Sequence, residues 1–116
     1  MGKLYGINAL LNDIKQKGDV VIRMEGNGNS ATVWLETGGK KTIGSCLSRV
    51  KRAVNDPHLI CCHQSKLVNY TFISEVWEKS NIILMAENKH VTISRGKHDA
   101  FIDFLRRHTQ VHIRPI

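Results

Sequence analysis

From Val20 to Ser94 the chain is written in short apolar or alternating runs closed by Gly, Asn, Ser or Lys. Alternation with a period of two puts every second side chain on one face, so such runs fold as half-buried strands rather than helices. VVIRME predicts a strand, GNGNS a Gly/Asn loop, ATVWLE a second strand, and TGGK a hairpin turn into KKTIG. After Pro57 the pattern returns as LICCH, TFISEVW, NIILMA and HVTIS. The connectors EKSN and ENK have the length of hairpin turns, which makes this an antiparallel meander. Helical spacing is confined to the margins. Leu4, Ile7, Leu11 and Ile14 mark a short lead-in, and Leu47, Val50 and Val54 an inward stripe behind a cap at Ser45. Ala100, Phe101, Phe104, Leu105 and His108 share one helical face. The expectation is a mainly β domain with short marginal helices, made of a lead-in over 1–19, the body over 20–108 and an extended tail over 109–116.

At 116 residues the chain has room for one domain with a modest core. No apolar run approaches the roughly 20 residues of a membrane helix. The start, MGKLYGINAL, lacks the parts of a signal peptide, and the residues after Gly2 do not supply the Ser or Thr of a myristoylation signal. A cytoplasmic protein is expected. Seventeen Lys and Arg against ten Asp and Glu give a net charge of +7, which biases a small domain towards polyanions, either nucleic acid or an anionic membrane surface. The excess is spread over Lys40-Lys41, Arg49 to Arg52, Arg95 to Lys97 and Arg106-Arg107, so a folded basic face is expected rather than a disordered arm.

The stretch CCHQSKLVNY, residues 61–70, poses the chemical question. Cys61 and Cys62 are adjacent, so on a strand they point to opposite faces and do not share one metal ion; Cys46 is the only other thiol. No metal site, disulfide framework or cofactor is expected. A thiol enzyme needs a thiolate beside a base, but Cys62 and His63 also alternate across a strand, and no oxyanion loop follows. GNGN joins two strands instead of opening a helix, unlike a phosphate loop. No enzyme is expected. On an alternating strand Leu59, Cys61, His63 and Ser65 share one side and Ile60, Cys62 and Gln64 the other, with one of the two cysteines packed inside. The run loses its apolar character at His63, where the strand end should reach a surface.

The order of these pieces resembles the LytTR family of bacterial DNA-binding domains, the output domains of LytR- and AgrA-like response regulators. The matching residues are His63 and Ser65 in CHQSKLVN, then Val68-Asn69, Ile73 in TFISEV, and Ser94-Arg95 in VTISR. MEGNGNSATVWL and LSRVKRAV fall where the family has an acidic residue, a Gly/Asn-containing loop and strand, and a short Leu-led helix. Three departures stand out. The first loop lacks the common aromatic near Ser30, Gly96 replaces a larger and often basic residue, and the first eighteen residues do not show the leading strands. No receiver segment precedes the module, so a free-standing output domain is expected.

The resemblance implies an elongated stack of small antiparallel sheets whose loops enter successive major grooves of double-stranded DNA. Carried over residue by residue, the DNA-binding set is Asn27, Asn29, Ser30 and Ala31; His63, Gln64, Ser65 and Lys66; and Arg95, Gly96 and Lys97. Gln64 has the paired donor and acceptor that recognise adenine, Arg95 suits guanine or a phosphate, and Lys97 sits at a helix start that favours a phosphate. His63 reads as either a phosphate donor or a packing residue. The implied partner is DNA with tandem repeated sites, bound by two copies. The rival reading is a protein-interaction module or a membrane-partnered signalling regulator on the same fold; RNA binding has only a few aromatics to draw on.

Overall fold

Alternating burial organises the first part of the chain. The computed structural model describes residues 3–116; the Met1-Gly2 end, read above for a leader or acyl site, lies outside the described residues. The chain divides into two compact units, the first ending at Pro57 and the second beginning at His58, each with its own apolar centre.

In the first unit, β1 (Leu4–Tyr5) is followed by α1 (Ile7–Lys15), β2 (Val21–Asn27), β3 (Ser30–Leu35), β4 (Gly39–Ile43) and α2 (Leu47–Val54). The strands lie in the order β1-β4-β3-β2, with β1 parallel to β4 and the other pairs antiparallel. Ala31, Val33 and Leu35 of β3 are buried at every second position, as alternation requires. On β2, Val21 and Ile22 are both buried, because a register shift between Val21 and Arg23 inserts one residue and resets the pattern. Beyond the shift, Arg23 lies over the indole of its cross-strand partner Trp34 at 3.6 Å, a cation–π contact.

Several details of the first unit differ from the sequence reading. Leu4 belongs to β1 and is exposed, and the buried face of α1 is Leu10 and Asp13. Burying Asp13 is tolerable because Lys41 and Lys17 both reach its carboxylate, and the hydrogen bond from Lys41 holds its pKa below the ordinary carboxylate value despite burial. The N-cap of α2 is Cys46, not Ser45, with no side-chain cap bond; Asn55 ends the helix in the left-handed conformation at φ 50°.

The second unit starts with a hairpin of β5 (Leu59–His63) and β6 (Lys66–Asn69), continues through a short 3-10 turn at Tyr70–Phe72, and adds β7 (Ile73–Trp77), β8 (Ile82–Met85), β9 (His90–Thr92), α3 (His98–His108) and β10 (His112–Arg114). LICCH therefore pairs with KLVN, a strand the sequence reading did not assign, while β7, β8 and β9 form the meander. Residues 112–114, read as an extended tail, pair in parallel with β7. Asn69 turns the chain, its side-chain oxygen accepting from the Thr71 N–H at 3.0 Å. α3 packs against β5 and buries Phe101, Ile102 and Leu105. Ala100 and His108, expected inside, are exposed, so the apolar stripe passes through Ile102. Strands make up 39% of the described residues against three short helices, which is the mainly β class.

Candidate nucleic-acid interface

Three polar turns carry the residues of interest. The first is the tip of the β2–β3 hairpin. Asn27 pairs with Ser30, and only Gly28 and Asn29 lie between the strands. Gly28 has φ 64°, where the absence of a Cβ removes the steric cost. The expected loop is thus tighter than its sequence suggested. Asn27 and Asn29 are exposed, and the Ser30 hydroxyl donates to the Asn27 carbonyl at 3.3 Å. Ala31 is fully buried, a correction to its place in the contact set: it anchors β3 and offers nothing to a ligand.

The second turn is Gln64-Ser65, closed by the His63–Lys66 pair. A register shift between Cys61 and His63 breaks the strict alternation expected for this strand. As a result Leu59 and Cys62 are buried while Cys61 is only half-buried. Burial pushes the Cys62 thiol up to about 12, so it behaves as a small apolar side chain. His63 Nδ1 accepts from the Ser65 N–H at 3.1 Å, with the Ser65 hydroxyl also within 3.2 Å. An accepting Nδ1 leaves the ring proton on Nε2, so the imidazole is locked to its own turn and has one donor to spare. Gln64, between them, is exposed.

The third turn runs from Ser94 to Lys97, where the Lys97 N–H donates to the Ser94 carbonyl at 3.1 Å and α3 begins. It is fastened to the second: the Ser94 N–H donates to the Cys62 carbonyl at 2.9 Å, and Lys66 Nζ donates to Thr92 Oγ1 at 3.2 Å. Gln64 and Arg95 are therefore exposed on two turns held to one strand. A Cβ added at Gly96 would meet nothing within 4 Å, so this position is open space. The structure brings the second and third sets together in the second unit, whereas the Asn27–Ser30 tip belongs to the first.

Sequence reasoning missed His98. Its ring lies between Asp99 Oδ1 at 2.9 Å and the Glu78 carbonyl at 3.2 Å, and the hydrogen bond with Asp99 raises its pKa. Each ring nitrogen thus faces an acceptor, Asp99 Oδ1 on one side and the Glu78 carbonyl on the other. The adjacent pair His98-Asp99 was the available signal. The charge inventory is informative too. Lys17, Lys41, Arg106, Arg107 and Arg114 are engaged by carboxylates. Among the described residues, Lys66, Arg95 and Lys97 have no carboxylate partner. No group of three or more His, Cys, Asp or Glu among the described residues is placed to hold a metal ion, and none of the described helices is long and apolar enough to cross a membrane.

The fold is a mainly β module with cations on short polar turns that have no carboxylate partner among the described residues. The chain belongs to the LytTr DNA-binding domain family, whose sequence model matches residues 12–106. A solved LytTr DNA-binding domain from Bacillus cereus, assigned to a methyl-accepting/DNA response regulator, has the same fold. It is 22% identical, covering 73% of this chain and 80% of that one at a TM-score of 0.64. No curated protein matches.

Proposed function

We propose that this chain binds double-stranded DNA in a sequence-specific manner as a transcription regulator, inserting its polar turns into the major groove. The observation that carries this is the joint between the Gln64-Ser65 and Arg95–Lys97 turns through the Ser94–Cys62 hydrogen bond, with their cations free of carboxylates. Gln64 reads a base edge, its carboxamide matching the donor and acceptor of adenine. Arg95 takes a guanine or a phosphate, and Lys66 and Lys97 hold the backbone. His63 donates from Nε2 to a phosphate oxygen, Ser65 fixes its ring, and Gly96 leaves room for the duplex. Asn27, Asn29 and Ser30 form a separate contact from the first unit.

Two substitutions test the division between reading and holding. Gln64→Ala is expected to cost about 1–3 kcal/mol on the best site, found by random-site selection, and little on random duplex. Lys97→Ala is expected to weaken both by similar factors and to lower the salt slope by about one unit. Gln64 is exposed and Lys97 half-buried, so unchanged melting curves are the control. Equal weakening of specific and random DNA by Gln64→Ala would show that Gln64 does not read a base.

One set of turns covers a short stretch of duplex, so two copies are expected on repeated sites centred roughly 10–10.5 base pairs apart, one helical turn. Moving one repeat by half a turn should abolish the second copy's protection in a footprint. Protection that ignores the spacing would refute paired binding.

A further inference from the structure

Helix α2 carries a basic face that the three turns do not account for. Its eight residues include Arg49, Lys51 and Arg52 and no acidic side chain. Val50 is wholly buried and marks the inward side, with Leu47 and Val54 half-buried beside it. At about 100° per residue the three cations occupy the opposite arc, and all three are exposed. None has a carboxylate partner among the described residues. A charge run of this kind is by default a solvated face. What distinguishes this one is where it is fastened. A Cβ added at Gly26 would stand 2.9 Å from Leu47 Cβ, closer than two such carbons can sit, so β2 and α2 meet at a glycine. Gly26 immediately precedes Asn27, so the basic helix is packed onto the strand that ends in the Asn27–Ser30 tip.

We propose that α2 is a second backbone contact of the first unit, in which Arg49 and Arg52 bind phosphate oxygens of the DNA duplex that the Asn27–Ser30 tip enters. This rests on the DNA-binding reading above. The two arginines are three residues apart, so they stand side by side on one helix face. A guanidinium is suited to phosphate because its planar fork donates two parallel hydrogen bonds. The close Gly26–Leu47 contact lets groove-entering amides and phosphate-binding cations move as one body, so that the helix sets how deeply the tip sits. Contacts of this kind carry no base preference, and their signature is counterion release.

The test is the salt dependence of binding to the selected site and to a random-sequence duplex. Arg49→Gln/Arg52→Gln keeps helix propensity and removes both charges. It is expected to flatten log Kd against log salt by about two units on both duplexes, at about 0.9 per phosphate. Arg49→Lys/Arg52→Lys should retain most of the slope. Arg52→Gln alone, with about one unit expected, serves if the double variant melts early. Lys15→Gln/Lys89→Gln, an exposed pair elsewhere, should leave the slope as it was. An unchanged slope in the arginine-to-glutamine variants, or equal flattening by the Lys15/Lys89 pair, would overturn the role of α2 while leaving the DNA-binding reading intact. Wild-type protein without salt-dependent affinity for any duplex would overturn both.

Discussion

Replacing Asp19 with alanine is expected to destabilise the first unit by about 2–4 kcal/mol, since three charge-assisted hydrogen bonds are lost and part of the cost is recovered by water. Asp19 is buried, and its carboxylate accepts from the Val20 N–H at 2.9 Å, the Thr37 N–H at 3.0 Å and the Gly38 N–H at 2.8 Å. The side chain thus ties the start of β2 to the β3–β4 turn across 18 residues. Thr37 and Gly38 are exposed, so water replaces part of what the carboxylate supplies, and the loss falls below the sum of the three bonds. A Cβ at Gly38 would stand 2.9 Å from Asp19 Oδ2, so Gly38→Ala presses on the same clamp. The expected fall in Tm for Asp19→Ala is about 10 °C, by the usual relation of stability to melting temperature in a domain near this size. The change is best followed by Trp34 fluorescence in a Trp77→Phe background, because Trp34 lies on β3. An unchanged transition would mean that the three N–H groups do not depend on Asp19.

The same clamp predicts a pH dependence. Burial alone would raise the pKa of Asp19, but the hydrogen bonds from the Thr37, Val20 and Gly38 N–H groups outweigh it and hold the group below its ordinary value. Asp13 is lowered by Lys41 in the same sense. A group whose pKa is depressed by folding contributes stability above its unfolded value, near 4 for a carboxylate. That contribution is lost as pH falls through the folded value. Acid should therefore weaken the wild-type first unit more steeply below about pH 4 than it weakens Asp19→Ala.

The strands were legible because a period of two is a local property, and VVIRME, ATVWLE, NIILMA and HVTIS each show it within a few residues. What escaped notice depends on distant partners or on one inserted residue. Asp13 reads as a surface acid on α1 until Lys41, 28 positions on, supplies its counter-charge. The shift after Cys61 cannot be read from LICCH, since every residue there tolerates either face, yet it decides that Cys62 is the buried thiol. KLVN is too short to declare a strand without Leu59, Ile60, Cys61 and His63 to pair it. For the proposed interface, His63, Ser65 and Ser94-Arg95 were legible through their resemblance to a family pattern, and Gln64 only through its place between two of them. Ala31 could not be excluded, because a small residue beside a loop looks the same whether it faces solvent or the core. The basic face of α2 was visible as LSRVKRAV, but only the Gly26–Leu47 contact ties it to the hairpin.

The largest effect expected in solution is the loss of DNA affinity with salt. In the proposed arrangement five cations contact phosphates: Lys66, Arg95 and Lys97 in the second unit, and Arg49 and Arg52 in the first. None of them is held by a carboxylate among the described residues, so a bound phosphate displaces counterions rather than an internal partner. About five phosphates at 0.9 each give a slope near −4.5 in log K against log salt. Between 50 and 200 mM that amounts to roughly a 500-fold loss of affinity, equivalent to about 3.7 kcal/mol. The loss should be nearly the same for the selected site and for random duplex, because holding the backbone is indifferent to sequence, and the ratio of the two affinities should survive the titration. Fluorescence anisotropy on both duplexes across this range measures slope and ratio together. A slope near zero would remove DNA as the partner. A steep slope on random duplex with no preference for any selected site would keep the backbone contacts and remove the base reading assigned to Gln64.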